Sequence, residues 1–355
     1  MRVALCADGR SPHSQRWANG VADRGHEVAF VWIREELDSS YFSSFRPSIS
    51  HHSYVPPAPR GRPWMVPFAL LAPRRLVRQL EPDLVHGLSL SGHGWAAHAF
   101  GVHPLVLTAL GSDVFQLRRS AGGSIAQRAA DAYGVWLTRA AVAAADLVLA
   151  DSATLADQIR QRVPGTATRI VRFGVELSPP APSARSRWRQ RLGIDDDAFV
   201  ILSSRLVRPH YNIDTIIHAL PAIRRRLPHA VLVLKELPRF SDPAYLRFCL
   251  ELADELGVRE VLRTVGELDR EELLELTAAA DLYVSIPATD GTAVSVLEAM
   301  AAGVAIVATD APGIDPAILR GDETALLVPT RNPESLAAAV VALGLDADLR
   351  LSIVD

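Results

Sequence analysis

Lysine is almost missing from this chain of 355 residues: of 37 basic residues only Lys235 is lysine, and the rest are arginine. A bias so uniform follows genome composition and marks no single site. Cysteine is nearly as scarce. Cys6 and Cys249, each inside an apolar segment, exclude a disulfide framework and read as buried free thiols of a reducing compartment. No run of about 18 apolar residues occurs, so no transmembrane helix is expected. The start, "MRVALCADG", reads at once as strand and turn and lacks the h-region and cleavage site of a secretory signal, so a cytoplasmic location is expected. No Gly-x-Gly-x-x-Gly follows the first strand of either half, which argues against a dinucleotide cofactor. Zinc-ligand spacings are missing too, and no basic and aromatic platform points to nucleic acid.

What is present is an ordinary soluble balance, 49% hydrophobic and 22% charged residues. The length exceeds what one core usually supports and implies two domains. The formal charge of −3 is uneven. Residues 1–178 hold 19 basic and 14 acidic side chains, and residues 179–355 hold 18 and 26. A basic first half suits an anionic acceptor or an anionic membrane surface.

Apolar strand patterns alternate with helical ones almost throughout. "RVALCAD", "GHEVAFVWI", "PDLVHG", "PLVLTALGSD" and "ADLVLADS" are short Val- and Leu-rich runs separated by helices, among them one from about Gln15 to Arg24. Continuous runs of this kind belong to parallel strands covered on both faces. The rhythm breaks at Ser178–Ser186, where three prolines and three serines make a stiff polar linker. It then resumes with "FVILSS", "AVLVLKE", "EVLRTVG", "DLYVSI" and "VAIVATD" as strands. The reading is α/β: two doubly wound, Rossmann-like domains over 1–178 and 187–355, joined by residues 179–186. Ligands of such sheets bind beyond the carboxyl ends of the strands.

One stretch there carries chemistry. In "PATDGTAVSVLEAMAAG", Pro287 stops a strand, Gly291 permits a turn, and a helix runs from about Ala293 to Ala302 with Gly303 as its stop. The amides of Thr292, Ala293 and Val294 open that helix, and such a helix end attracts phosphate. Asp290 sits on its rim and Glu298 about two turns in. An acid pair beside a phosphate cradle suits a ligand with both hydroxyls and phosphates. The plainer alternative makes Asp290 a helix cap and turns Glu298 to solvent.

The same residues resemble the paired-acid signature of the family-4 retaining glycosyltransferases, which have the GT-B fold. "GHEV", "PDLVHG", "GSDV", "VGELDREELLELTAAADLYV", "LEAMAAGVAIVATDAPGIDPAI" and "GDETALLVP" follow in the family's order, and the likeness covers essentially the whole chain. The resemblance implies two Rossmann-like domains facing across a cleft, acceptor side first and donor side second. It implies transfer of a sugar from a nucleoside diphosphate to an acceptor hydroxyl, with retention, on a glycan, a lipid-linked molecule or a small molecule. No cofactor or metal is implied, the nucleotide-sugar being a substrate. By resemblance Glu298 binds the ribose, Asp290 the sugar hydroxyls in place of the usual Glu, and Arg205 the diphosphate. The amides after Gly291 also meet the donor.

Some positions depart from the pattern. Where the family has Lys-Gly after the arginine, this chain has His210-Tyr211-Asn212, and Arg208 is the nearest replacement cation. Lys235-Glu236-Leu237-Pro238 replaces a Gly-x-Gly-Pro turn, which makes Lys235 a candidate phosphate contact. Gly9, after Asp8, keeps a permissive backbone near donor phosphate or acceptor, and His13 is a candidate for acceptor binding or proton transfer. Leu110 stands where many relatives have histidine, leaving Asp113 as a cleft or structural acid. Pro59–Gln79 mixes five arginines with Trp64, Met65, Phe68 and Leu71. It reads either as a peripheral seat on the inner face of a membrane or as a loop and helix packed on the sheet. The chain ends at "LRLSIVD", short of the crossover segment the family usually adds. Two other functions fit the same features: a nucleotide-sugar epimerase on the GT-B scaffold, and a sugar-nucleotide-binding protein without catalysis.

Overall fold

The apolar runs do become parallel strands, arranged in two sheets. The structure, a computed structural model, describes residues 1–32, 39–53, 74–115, 125–175, 181, 183–238 and 241–354. The chain divides into two compact units, Met1–Arg172 and Phe173–Asp355. Ala184–Ser186, read from the sequence as the end of a linker, already form the first turn of a helix. Trp188, 2% exposed, anchors that helix in the core of the second unit.

In the first unit the elements run β1 (Arg2–Cys6), α1 (Pro12–Ala22), β2 (Glu27–Trp32), β3 (Ser50–Ser53), β4 (Leu84–Leu88), α2 (His93–Ala99), β5 (Leu105–Thr108), α3 (Ser112–Phe115), α4 (Ile125–Ala144), β6 (Leu147–Ala150), α5 (Ala153–Arg162) and β7 (Thr168–Ile170). Sheet order is β3-β2-β1-β4-β5-β6-β7, so the winding reverses between β1 and β4. Successive strand residues face opposite layers. Ala4 and Cys6 pack with Val85, Leu107 and Val148 under α2, α4 and α5, while Leu5, Val28 and Phe30 pack under α1. Gly87 has a packing reason to be glycine. A Cβ there would lie 2.9 Å from Leu107 and 3.0 Å from Ala97, so its absence lets α2 lie on β4. Both cysteines are free and buried, as expected. Of Pro59–Gln79, only residues 74–79 are described. They are helical, with Val77 buried and Arg74 Nε donating to Phe100 O at 3.1 Å; the remainder of that stretch lies outside the described residues.

The second unit runs α6 (Ala184–Leu192), β8 (Phe199–Ser203), α7 (Ile213–Arg226), β9 (Ala230–Lys235), α8 (Pro243–Glu255), β10 (Leu262–Val265), α9 (Arg270–Ala279), β11 (Leu282–Ser285), α10 (Val294–Ala301), β12 (Ala305–Thr309), β13 (Leu326–Val328), α11 (Pro333–Leu345) and α12 (Ala347–Val354). Its order is β10-β9-β8-β11-β12-β13, reversing between β8 and β11. Ile201, Leu282, Val284 and Val307 face the layer of α7, α8 and α11. Val200, Leu202, Tyr283 and Ile306 face α6, α9 and α10. Each unit is therefore a doubly wound sheet with both faces buried, and among the described residues no helix is long and apolar enough to cross a membrane.

Asp113 shows what a buried acid does in the first unit. It is 5% exposed, and its two oxygens accept the N–H groups of Leu90 at 2.8 Å and Leu110 at 3.0 Å, joining the loops after β4 and β5. Burial raises its pKa from 3.8 to about 6, against the pull of those amides. The folded chain thus keeps this proton to about pH 6, whereas the unfolded chain releases it near 3.8. Between the two the folded state holds more protons, so this group's contribution to stability falls as pH rises. His86, hydrogen-bonded to Thr108 at 2.7 Å and lowered by burial to about 4, has the opposite slope over a similar range. The comparison that isolates Asp113 is therefore wild type against Asp113→Asn by urea unfolding. The stability advantage of wild type is expected to shrink by at most about 3 kcal/mol from pH 4 to pH 6.5. A pH-independent difference would show that Asp113 titrates as an ordinary carboxylate.

Candidate functional site

At the reversal between β8 and β11, two loops leave adjacent strand ends, and such a point is where doubly wound sheets open a crevice for ligands. Arg205 lies two residues past β8, and Asp290 five past β11. They meet: Arg205 Nη2 donates to Asp290 Oδ2 at 2.5 Å, with side chains only 11% and 12% exposed. Arg205 Nη1 donates to Ser295 Oγ at 3.2 Å, in the first turn of α10. The ring of Tyr211 covers the guanidinium, its centre 4.4 Å from Cζ. Arg205 Nε is buried without an acceptor. Burial works against the charge of Arg205, but Asp290, Tyr211 and Tyr283 together more than offset it and raise its pKa.

The loops are fixed from below. Asn212 follows the 3₁₀ turn Pro209–Tyr211 and has φ 51°, a left-handed conformation that asparagine and glycine tolerate best. Asparagine takes this bend and adds a side chain that a glycine would lack. Its Nδ2 donates to Ile286 O at 2.8 Å, and its Oδ1 accepts from Arg331 Nε at 3.3 Å. Thr309 and Thr330 both donate to Pro287 O, at 2.9 and 3.2 Å, and Ala288 N donates to His210 O at 2.9 Å. The strand-end loops that carry Arg205 and Asp290 thus share one set of hydrogen bonds. Asp290 Oδ1 also accepts Gly291 N at 3.0 Å.

Neither plainer role for the acids holds. The residue at the N-cap of α10 is Ala293, with no side-chain cap, so Asp290 is not the cap. Glu298 does not face solvent; it is 8% exposed, and its Oε1 accepts Arg270 Nη1 at 2.8 Å. Arg270 opens α9, whose start is set by an Asp269–Glu272 capping box. Lys235, at the end of β9, is electrostatically coupled to Glu298. Burial lowers its pKa, while Glu298 and Glu267 pull it back up. Tyr283 Oη and Ser204 Oγ share a hydrogen bond of 2.8 Å, and burial raises the Tyr283 pKa. Gly291, Thr292, Ala293 and Val294 form the approach to α10, whose first amides have no acceptor inside the helix. Gly303, φ 70°, ends it.

Sequence reasoning named Arg205, Asp290, Glu298 and Lys235, and the second unit gathers them around the starts of α9 and α10. It missed Arg270, Tyr211 and Ser295. Arg270 lay in a quoted motif, but nothing in its spacing pointed toward Glu298. Arg208 is exposed at the N-cap of the 3₁₀ turn. Gly9 and His13 belong to the first unit: Gly9 O accepts from Gln15 Nε2 at 3.2 Å, and His13 lies inside α1, which begins at Pro12 rather than after it. Asp113 spends both oxygens on loop amides.

Two family models divide nearly the whole chain between them. Residues 2–152 match "Glycosyl transferase 4-like" and residues 184–354 match "Glycosyl transferases group 1". The chain is 34% identical over 176 residues to a GDP-mannose-dependent alpha-(1-6)-phosphatidylinositol monomannoside mannosyltransferase of Mycobacterium tuberculosis, covering 48% of this chain and 44% of that one. It is 29% identical over 277 residues to a D-inositol 3-phosphate glycosyltransferase of Saccharomonospora viridis, covering 76% and 63%. The chain thus spans less than half the length of the first relative and about three fifths of the second. Among solved structures, Anabaena HepE in complex with UDP-glucose superposes with a TM-score of 0.80 at 18% identity, covering 100% of this chain and 92% of that one. That likeness shows the fold, GT-B. The chain belongs to the group 1, family-4 glycosyltransferases.

The joint at Asn212 can be tested by unfolding in urea. Asn212→Gly keeps the left-handed bend and loses two hydrogen bonds, whereas Asn212→Ala loses the same bonds and adds backbone strain. The alanine variant is expected to lose about 2–4 kcal/mol, and the glycine variant about 1 kcal/mol less. Equal losses would show that the bend carries no strain.

Proposed function

We propose that the protein transfers a sugar from a nucleoside-diphosphate sugar to an acceptor hydroxyl, with retention at the anomeric carbon. The observation that carries this reading is the grouping of Arg205, Asp290 and Ser295 at the start of α10, with Glu298 held by Arg270 further along the same helix. The family, and the nucleotide-sugars in the names of a relative and a structural neighbour, support it.

In this reading the C-terminal unit takes the donor. Arg205, the amides leading into α10, and Lys235 or Arg208 face the diphosphate and stabilise the charge that develops on it as the glycosidic bond breaks. A guanidinium suits this task because its fork matches two phosphate oxygens. Glu298 accepts the ribose hydroxyls and Asp290 those of the sugar, so the reacting carbon is held in place. These arginines and amides meet the diphosphate's charge without a metal ion. The N-terminal unit takes the acceptor, with Gly9 in the loop after β1 and His13 in the first turn of α1 as its candidate contacts. Two relatives carry inositol-based names, and the acceptor proposed here is a hydroxyl on a glycan, a lipid-linked molecule or a small polyol.

Transfer from a panel of nucleotide-sugars, assayed with and without acceptor, tests the reading. Glu298→Ala or Arg205→Ala is expected to lower turnover at least about a hundredfold while the fold persists. Near-normal transfer by both variants would remove these residues from the mechanism, and a donor altered without acceptor would point to epimerisation. Peripheral seating on an anionic membrane through Pro59–Gln79 belongs to the same proposal. Flotation with anionic vesicles at low salt, lost at high salt, is the expected behaviour, and no flotation at low salt would end that part of it.

A further inference from the structure

All three guanidinium nitrogens of Arg205 are engaged or buried. Asp290 takes Nη2, Ser295 takes Nη1, Tyr211 covers a face, and Nε is buried without an acceptor. Only 11% of the side chain meets solvent. A diphosphate meets a guanidinium whose Nη2 and Nη1 already donate to Asp290 and Ser295 and whose Nε is shut in, so its oxygens have no unengaged nitrogen to accept from. The charge of Arg205 is compensated by Asp290 alone among the described carboxylates within ion-pair distance. A like-charged carboxylate next to the phosphate position also raises the cost of bringing an anion in.

We propose that the Arg205–Asp290 pair is a latch which a nucleoside diphosphate opens, so that Asp290 opposes retention of the diphosphate while serving the sugar. This rests on the reading of the site as that of a nucleotide-sugar. Opening means that Arg205 turns from Asp290 and Ser295 toward the phosphates. Asp290 is then released beside the ribose-to-sugar end of the ligand, where its oxygens accept hydroxyls instead of a guanidinium. After transfer no sugar remains to occupy Asp290. The carboxylate competes again for Arg205, and the nucleoside diphosphate leaves. The fixed loop geometry keeps Asp290 in reach throughout, because Gly291 N and the hydrogen bonds at Pro287 do not involve Arg205.

The test is calorimetric titration of uridine, guanosine, adenosine, cytidine and thymidine diphosphates into wild type, Asp290→Asn and Arg205→Gln. Asparagine keeps an oxygen for Gly291 N and removes the charge. Asp290→Asn is expected to bind the preferred diphosphate about tenfold more tightly while transferring sugar more slowly, and Arg205→Gln at least about tenfold more weakly. Ser295→Ala, which frees Nη1 without touching a charge, is expected to tighten binding a few-fold and stands in if the asparagine variant does not fold. Binding by Asp290→Asn, or by Ser295→Ala in its place, that is no tighter than wild type would overturn the latch and leave the nucleotide-sugar reading intact. If wild type and variants alike bind none of the five diphosphates, the nucleotide-sugar reading fails, and the latch fails with it.

Discussion

Charge compensation at the start of α10 is the constraint on which the rest of this site depends. Asp290 and Glu298 are nearly buried, and a carboxylate moved out of water loses several kcal/mol unless something replaces the hydration. Each has its own arginine, Arg205 for the first and Arg270 for the second. The two arginines come from different strand-to-helix connections, so the acids are held only if β8, β10 and β11 deliver their loops to one place. The sheet order, with β8 beside β11 and β10 at the edge next to β9, does so. The fold and the chemistry are thus linked through electrostatics as well as packing.

Much of this could be read before any coordinates. Where a strand is buried on both faces its residues are apolar without interruption, and "FVILS", "AVLVLK" and "LYVS" were unmistakable. Strands β3 and β7 were not, because edge strands are short and carry polar residues such as His51, His52 and Arg169, which resemble loop. The first helix begins at Pro12, three residues before its apolar pattern becomes apparent at Gln15.

The candidate site was readable in its acids and opaque in their partners. Asp290 and Glu298 share one helix approach, so spacing relates them. Arg270 lies 28 residues from Glu298, and only the packing of α9 against α10 joins the two. Tyr211 appeared in the sequence as a departure from the family, and nothing local said that its ring would lie on Arg205. His86 and Asp113 reveal a similar limit: burial is the largest influence on their protonation, and burial is a property of the assembled unit.

Asn212 has a consequence for how this scaffold can change. One amide side chain suspends the connection after β8 from a carbonyl after β11, so the turn Pro209–Tyr211 lies upstream of the anchor and carries none of its side-chain bonds. Mutations that swap the side chains of His210 or Tyr211 therefore leave the hinge pin in place. Replacement at those two positions changes what lies beside Arg205 without cutting the tie between the two connections.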